Sequence, residues 1–200
     1  MRGSIIIILF FVVGVFCSFY KLFPTWILDS DLSLYALWAL MFCVGISVGA
    51  DTKALTNIRY IRKGYIILPL ITIIGTLLGS ALVSPFLPKY TLSECMAVGS
   101  GFGYYSLSSI FITQYKGAEL GTIALISNII REITTLLFTP VLVYSFGKLA
   151  PISCGGATTM DTTLPIISRY SGKEFAVVAI FHGVTVDLTV PFLVTFFATR

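Results

Sequence analysis

The sequence predicts an all-α polytopic membrane protein with about seven transmembrane segments, and three observations predict it. Hydrophobic residues make up 56% of the 200 and charged residues 11%, whereas a soluble domain carries about a quarter charged. Stretches such as 5–15 and 65–87 are apolar for about the length that crosses a bilayer. The basic residues sit between such stretches. Lys53, Arg59, Arg62 and Lys63 share one short loop, the distribution of cytoplasmic loops under the positive-inside rule. A mean hydropathy of +0.95 agrees. The net charge of +4 therefore reports topology and gives no ground for a nucleic-acid partner.

The first segment covers residues 4–20. Met1 and Arg2 before an apolar run imitate a signal peptide, but Cys17-Ser18-Phe19-Tyr20 is a poor cleavage site, so the run is read as a helix. A connector with Pro24, Trp26, Asp29 and Asp31 follows, its aromatic suited to the membrane interface. The second segment is 32–50 and the third 65–87, with the basic loop 51–64 between them in the cytoplasm. The fourth, 94–115, contains Gly99-Ser100-Gly101-Phe102-Gly103-Tyr104-Tyr105-Ser106-Leu107-Ser108-Ser109, too rich in glycine and hydroxyls for a lipid-facing helix. Lys116 marks its cytoplasmic end.

The fifth segment, 119–146, holds Pro140 as a kink. The sixth, 151–168, returns to a cytoplasmic side marked by Arg169 and Lys173, and the seventh, 175–198, ends outside. The prediction is a multi-pass membrane protein with its N-terminus in the cytoplasm and its C-terminus outside. One membrane domain covers residues 1–200: a plain three-helix part, 1–93, and a chemically loaded four-segment part, 94–200. Cys17, Cys43, Cys95 and Cys154 are dispersed, with no CxxC pair and no nearby histidine, so neither a metal site nor a disulfide framework is expected.

Ionisable residues at the centre of a membrane helix cost about 2.5–3.5 kcal/mol on insertion scales and persist where they serve a pathway or pair with each other. Arg131, Glu132, Asp161 and Asp187 stand out, with His182 as a weaker fifth. Arg131 and Glu132 are adjacent and point to different helix faces, whereas Asn128, Glu132 and Thr135 share one. Arg131 is expected to find an acid on another helix, Asp161 or Asp187. One cation against these carboxylates leaves an acidic interior, suited to a cationic solute, a coupling proton or a sodium ion. A structural ion pair locking helices together is the plainer alternative.

Backbone disruption is the second signal. Gly155 and Gly156 are unfavourable in a helix interior, and Pro165 disfavours helical geometry at Leu164. Discontinuous helices are therefore expected near 99–109 and 154–165, because unwound backbone in a membrane is tolerated only inside protein or along a wet cavity. A helix restarting at Thr158–Thr159 would turn free N–H groups toward an anion, with Asp161 within one turn. Tyr104, Tyr105, Ser106, Ser108 and Ser109 would supply hydroxyls and an aromatic wall at the first break. A tight small-residue packing face is the alternative there.

Segments four to seven resemble the bacterial lysine exporter family, LysO. The resemblance is carried by Ser100-Gly101-Phe102-Gly103-Tyr104-Tyr105-Ser106-Leu107-Ser108 and by Asn128 with Arg131-Glu132. It continues through Gly155-Gly156-Ala157-Thr158-Thr159-Met160-Asp161-Thr162-Thr163-Leu164-Pro165, its most specific part, and through His182-Gly183 and Pro191-Phe192-Leu193. Phe42-Cys43-Val44-Gly45-Ile46-Ser47-Val48-Gly49 resembles the end of an earlier family helix. The resemblance implies export of L-lysine and of analogues such as thialysine, with Asp161 matching a functionally important intramembrane acid.

Many family members are about half as long again, with further N-terminal helices carrying another membrane acid. An inverted-repeat transporter lacking three helices would show the odd helix count expected here. A small membrane subunit that supplies them, or a homodimer, is therefore expected.

Together these features predict a secondary exporter that exchanges lysine for protons or sodium, with no resident cofactor and no catalytic residue. In this reading lysine's carboxylate meets N–H groups at 156–159 and an ammonium approaches Asp161 or Glu132. Asp161 is the first choice for the coupling acid and Asp187 the second. The same architecture with another amino acid or organic cation is the first alternative. A passive channel, or an aspartyl protease using Asp161 and Asp187 as a dyad, is less well matched: Thr-Thr-Met-Asp stands where those proteases have Gly-x-Gly-Asp.

Overall fold

The computed structural model describes residues 63–200 and the isolated positions 13, 14, 16, 17, 19, 20, 22 and 35. The second expected segment, most of the first and all but the last residues of the basic loop lie outside the described residues. The chain divides into two compact units, Met1–Val44 and Gly45–Arg200. In the first, Val13, Gly14, Phe16, Cys17 and Phe19 are helical, and Tyr20 stacks with Phe16.

The described part of the second unit is helical. Helix α1, Leu68–Val83, starts with Pro69 in its first turn, where a missing N–H costs nothing. It buries only Leu68, Pro69 and Thr72, while Leu70, Ile71, Ile74, Leu78 and Leu82 are exposed. A water-facing helix would be unstable with that surface; a lipid-facing one would not. Helix α2, Leu92–Gly99, begins with a capping box: the Thr91 hydroxyl accepts from Glu94 N–H at 3.2 Å, and the Glu94 carboxylate accepts from Thr91 N–H at 2.8 Å. Helix α3 is Tyr105–Lys116 and α4 is Ala118–Phe146, with Pro140 inside it.

Helix α4 has 29 residues and is about 44 Å long. Its buried residues, Leu120, Gly121, Ala124, Asn128, Glu132, Thr135 and Thr139, recur at helical spacing and form one stripe. That stripe is polar while the opposite faces carry exposed Ile126, Ile130, Ile133 and Leu137, the inverse of a soluble helix. Helix α5, Ala150–Gly155, leads into a 3-10 turn, Gly156–Met160. Helix α6 is Leu164–Ser171 and α7 is Ala176–Ala198.

Three stretches are long and apolar enough to cross a membrane among the described residues: Leu68–Phe86, Ala118–Phe146 and Lys173–Ala198. The expected fourth and sixth segments instead fold back on themselves. Lys116 at the end of α3 lies 3.8 Å from Glu94 at the start of α2, although a straight path between them would cover roughly 30 Å. Lys148 before α5 likewise lies 3.4 Å from Glu174 after α6. Both are pairs of short helices joined at a tip.

The bases of the two hairpins lie at opposite ends of α4. Lys89, just before α2, pairs with Glu119 in the first turn of α4, whereas Lys148 follows its last turn. The Glu119 hydrogen bond holds the exposed Lys89 ammonium above its ordinary pKa. At the other end, Ile152, Ile167, Val178 and Ala179 pack with Leu68 into a small apolar core. Lys116 and Lys173 therefore lie at opposite ends of the bundle. This corrects the expectation that both mark the cytoplasmic side, which took every apolar segment as a crossing.

Candidate solute site

The hairpin tips meet beside the middle of α4. At the first tip, Ser100–Tyr104 leaves helical geometry, with Phe102 at φ 46° and Gly103 at φ 95°. Asn128 of α4 holds it there. Its Oδ1 accepts from Gly103 N–H at 2.7 Å, and its Nδ2 donates to Ala124 O at 2.8 Å and to Ser108 Oγ at 3.3 Å. Ser108 Oγ in turn donates to Tyr104 O at 2.8 Å.

The second tip rests on the first through backbone. Ala157 N–H donates to Phe102 O at 2.9 Å. The chain can come this close because residue 156 is glycine: it sits at φ 62°, and a Cβ there would stand 2.2 Å from Phe102 O. Thr158 and Thr159 are buried and their hydroxyls are occupied. Thr158 donates to Gly155 O at 2.9 Å; Thr159 donates to Gly156 O and to Ala179 O, both at 2.8 Å. The helix restarts at Leu164, not at Thr158–Thr159 as expected. Asp161 lies between turn and helix, exposed, with Oδ1 accepting from Thr162 N–H.

Arg131 does not pair with an acid among the described residues. Its Nε donates to Cys154 O at 2.8 Å, Nη2 to Ser153 O at 3.0 Å and Nη1 to Thr76 Oγ1 at 3.3 Å. The two carbonyls end α5, where a helix presents unpaired acceptors and the negative end of its dipole. A planar cation satisfies both at once, so the expectation of an Arg131–Asp161 or Arg131–Asp187 pair is corrected. Its guanidinium also lies 5.9 Å from the centre of the Phe102 ring, tying it to both tips.

The acids are left without that cation. Glu132, buried on the α4 stripe, faces the Thr162 side chain and is within electrostatic reach of Asp161. Asp187, buried on α7, is within reach of Asp161 too. Tyr104, half-buried, contacts the Ser106 hydroxyl and lies in the field of both aspartates. Asp161 is thus within electrostatic reach of both Glu132 and Asp187. His182 is fully buried, with Nε2 2.9 Å from Thr72 Oγ1 and Nδ1 3.3 Å from Thr159 Oγ1, so it ties α1, the second tip and α7 together. Tyr105 opens α3 and is half-buried.

The residues missed by sequence reasoning are Thr72, Thr76 and the carbonyl of Phe102. Thr72, Thr76 and Ser80 stand four apart in an otherwise apolar helix, the one signal that could have marked that face. The Phe102 carbonyl had none, since its role belongs to the backbone.

A cavity of about 580 Å³ is lined by Thr76, Ser80, Cys95, Leu120 and Ser127 among others, with no charged side chain among the described residues of its wall.

Residues 8–198 match the family described as lysine exporter LysO. The chain belongs to the lysine exporter LysO family. It is similar to the lysine exporter LysO of Escherichia coli K12, with 34% identity over 169 residues, 84% of this chain and 56% of that protein. It is also similar to a putative lysine exporter of Haemophilus influenzae, with 32% identity over 193 residues, 96% of this chain and 95% of that protein. The chain thus spans a little over half the length of the Escherichia coli relative and nearly all of the Haemophilus one. No solved structure matches it. The run that carries the LysO resemblance most specifically, Gly-Ala-Thr-Thr-Met-Asp, forms the second hairpin tip and places Asp161 beside it.

Proposed function

We propose that the chain is a secondary active exporter of L-lysine and analogues such as thialysine, moving them out of the bacterial cytoplasm in exchange for protons or sodium. One observation carries the reading. Two hairpins from opposite ends of the bundle meet tip to tip, and Asp161, Glu132 and Asp187 gather there while the nearby cation, Arg131, is engaged with carbonyls. A site of that charge at mid-depth favours a cationic solute. The lysine ammonium approaches Asp161 and Glu132.

The carboxylate assigned to 156–159 meets an obstacle here, because Ala157 N–H is bonded to Phe102. Binding it there requires the tips to part, which makes hairpin motion part of the mechanism. Moving one positive charge outward against an interior-negative potential costs about 2.3 kcal/mol per 100 mV. Inward movement of one proton or sodium ion per lysine cancels that cost.

With the basic loop cytoplasmic, α1 runs outward, the first hairpin enters from outside, α4 returns, the second hairpin enters from the cytoplasm and α7 ends outside. Each hairpin with its following long helix forms one unit, two units of opposite orientation, as an inverted repeat requires. A small membrane subunit, or a second copy of this chain, completes the transporter.

The test is thialysine resistance and lysine efflux in an exporter-deficient bacterium, with the chain alone and with a neighbouring small membrane gene. Efflux in either case supports the lysine assignment, and the difference decides whether a partner is needed. Absence of efflux in both, with the protein present in the membrane, refutes lysine as solute. Asp161→Asn is expected to abolish coupled exchange; normal exchange in that variant removes Asp161 from the mechanism.

A further inference from the structure

Asp187 is 2% exposed, and its Oδ1 is buried without a hydrogen-bond partner. Ser171 Oγ is the one other buried side-chain atom in that condition among the described residues. Among the described residues the other buried side-chain nitrogens and oxygens at the crossing have hydrogen-bond partners, which sets the Asp187 carboxyl apart.

The surroundings define what it is. Helix α7 packs against the second tip, α3, α2, α6, α1, α5 and the turn Lys173–Phe175, whose Lys173 and Glu174 are exposed. Asp161 from the tip and Tyr104 from the start of α3 act on Asp187. Helix α1 has no titratable residue. On α2, Glu94 is bonded to Thr91 and Lys116, and Cys95 lies in the cavity wall. On α6, Arg169 and Tyr170 are exposed and contact each other. Cys154 of α5 accepts from Thr135. On α7 itself, His182 lies between Thr159 and Thr72 and in the field of Arg131. A negative charge on Asp187 thus meets a second carboxylate and no described cation. A proton on Asp187 needs neither space nor further ligands, whereas a lysine ammonium needs access that Asp161 has and Asp187 lacks.

We propose that Asp187 carries the coupling proton while Asp161 receives the solute ammonium. The inference rests on the exporter reading above. When lysine arrives at Asp161, the Asp187 O–H bond breaks and the proton leaves to the cytoplasm. When lysine leaves outside, a proton from that side rebinds Asp187. One positive charge moves out and one moves in, so the acid pair carries the same net charge in both loaded states.

The full chain in proteoliposomes distinguishes the two acids. Asp187→Asn is expected to lose at least tenfold of lysine movement driven by a pH gradient and to reduce lysine–lysine exchange, which moves no net proton, by a clearly smaller factor. Asp187→Glu is expected to restore the pH-driven movement. PH-driven movement that survives in Asp187→Asn, a response to a sodium gradient alone, or loss of both activities without rescue by glutamate overturns the proposal. A readout independent of lysine is the infrared absorption of protonated carboxyls at neutral pH. Wild type is expected to show one such group that Asp187→Asn lacks, and its absence from wild type also overturns the proposal. Wild type that shows the group but moves no lysine, with or without the neighbouring small membrane protein, refutes lysine as solute and leaves the proton on Asp187 standing.

Discussion

Replacing Gly156 by alanine tests the crossing of the two tips more sharply than any change of a charged residue. Its backbone, φ 62° and ψ −126°, is one that side-chain-bearing residues avoid, at a cost of about 1–3 kcal/mol. The added Cβ would also lie 2.2 Å from Phe102 O and 3.1 Å from its carbonyl carbon, both backbone atoms that no rotamer change can move. Relief requires separating the tips and losing the Ala157–Phe102 hydrogen bond, a net loss of about 0.5–1.5 kcal/mol. Together the destabilisation is about 2–4 kcal/mol, which for a chain of this size lowers the melting temperature by roughly 5–15 °C.

Thermal unfolding of the purified protein in detergent measures it. Gly75→Ala is the control: a Cβ there meets nothing within 4 Å, and alanine is the better helix former, so melting is expected unchanged or slightly higher. If Gly156→Ala melts together with wild type and Gly75→Ala, the backbone crossing is not what holds the tips.

Arg131→Lys keeps the charge but replaces a planar fork with a single point. At least one of its two carbonyl bonds at the end of α5 is lost, and a loss of about 2–4 kcal/mol is expected in the same melting assay. A lysine variant as stable as wild type would show that charge alone suffices there. Asn128→Leu leaves the Gly103 N–H without its acceptor in a buried place and is expected to destabilise by about 1–3 kcal/mol. Faster amide exchange at Gly103 is expected with it, and unchanged exchange there would show that Asn128 is not the latch.

Composition and the periodic spacing of residues decided much. A chain with 11% charged residues has to hide its surface from water, and the long apolar runs became α1, α4 and α7 with nearly the bounds expected. The spacing of Asn128, Glu132 and Thr135 placed them together on the buried stripe of α4, because helical geometry is local. Gly103 and Gly156 take positive φ at the two tips, a freedom that is also local to the residue.

Only the tertiary structure decided where the chain turns back and what each polar group meets. A break that lets a helix continue and one that reverses it have the same composition; the reversal is visible only in contacts such as Lys116 with Glu94 and Lys148 with Glu174. Charge counting predicted an acid for Arg131, yet two carbonyls at a helix end satisfy it, and carbonyls leave no trace in a sequence because every residue has one. For the same reason Asp187, which sequence ranks behind Asp161, became the buried carboxyl oxygen without a hydrogen-bond partner once the helices had packed around it.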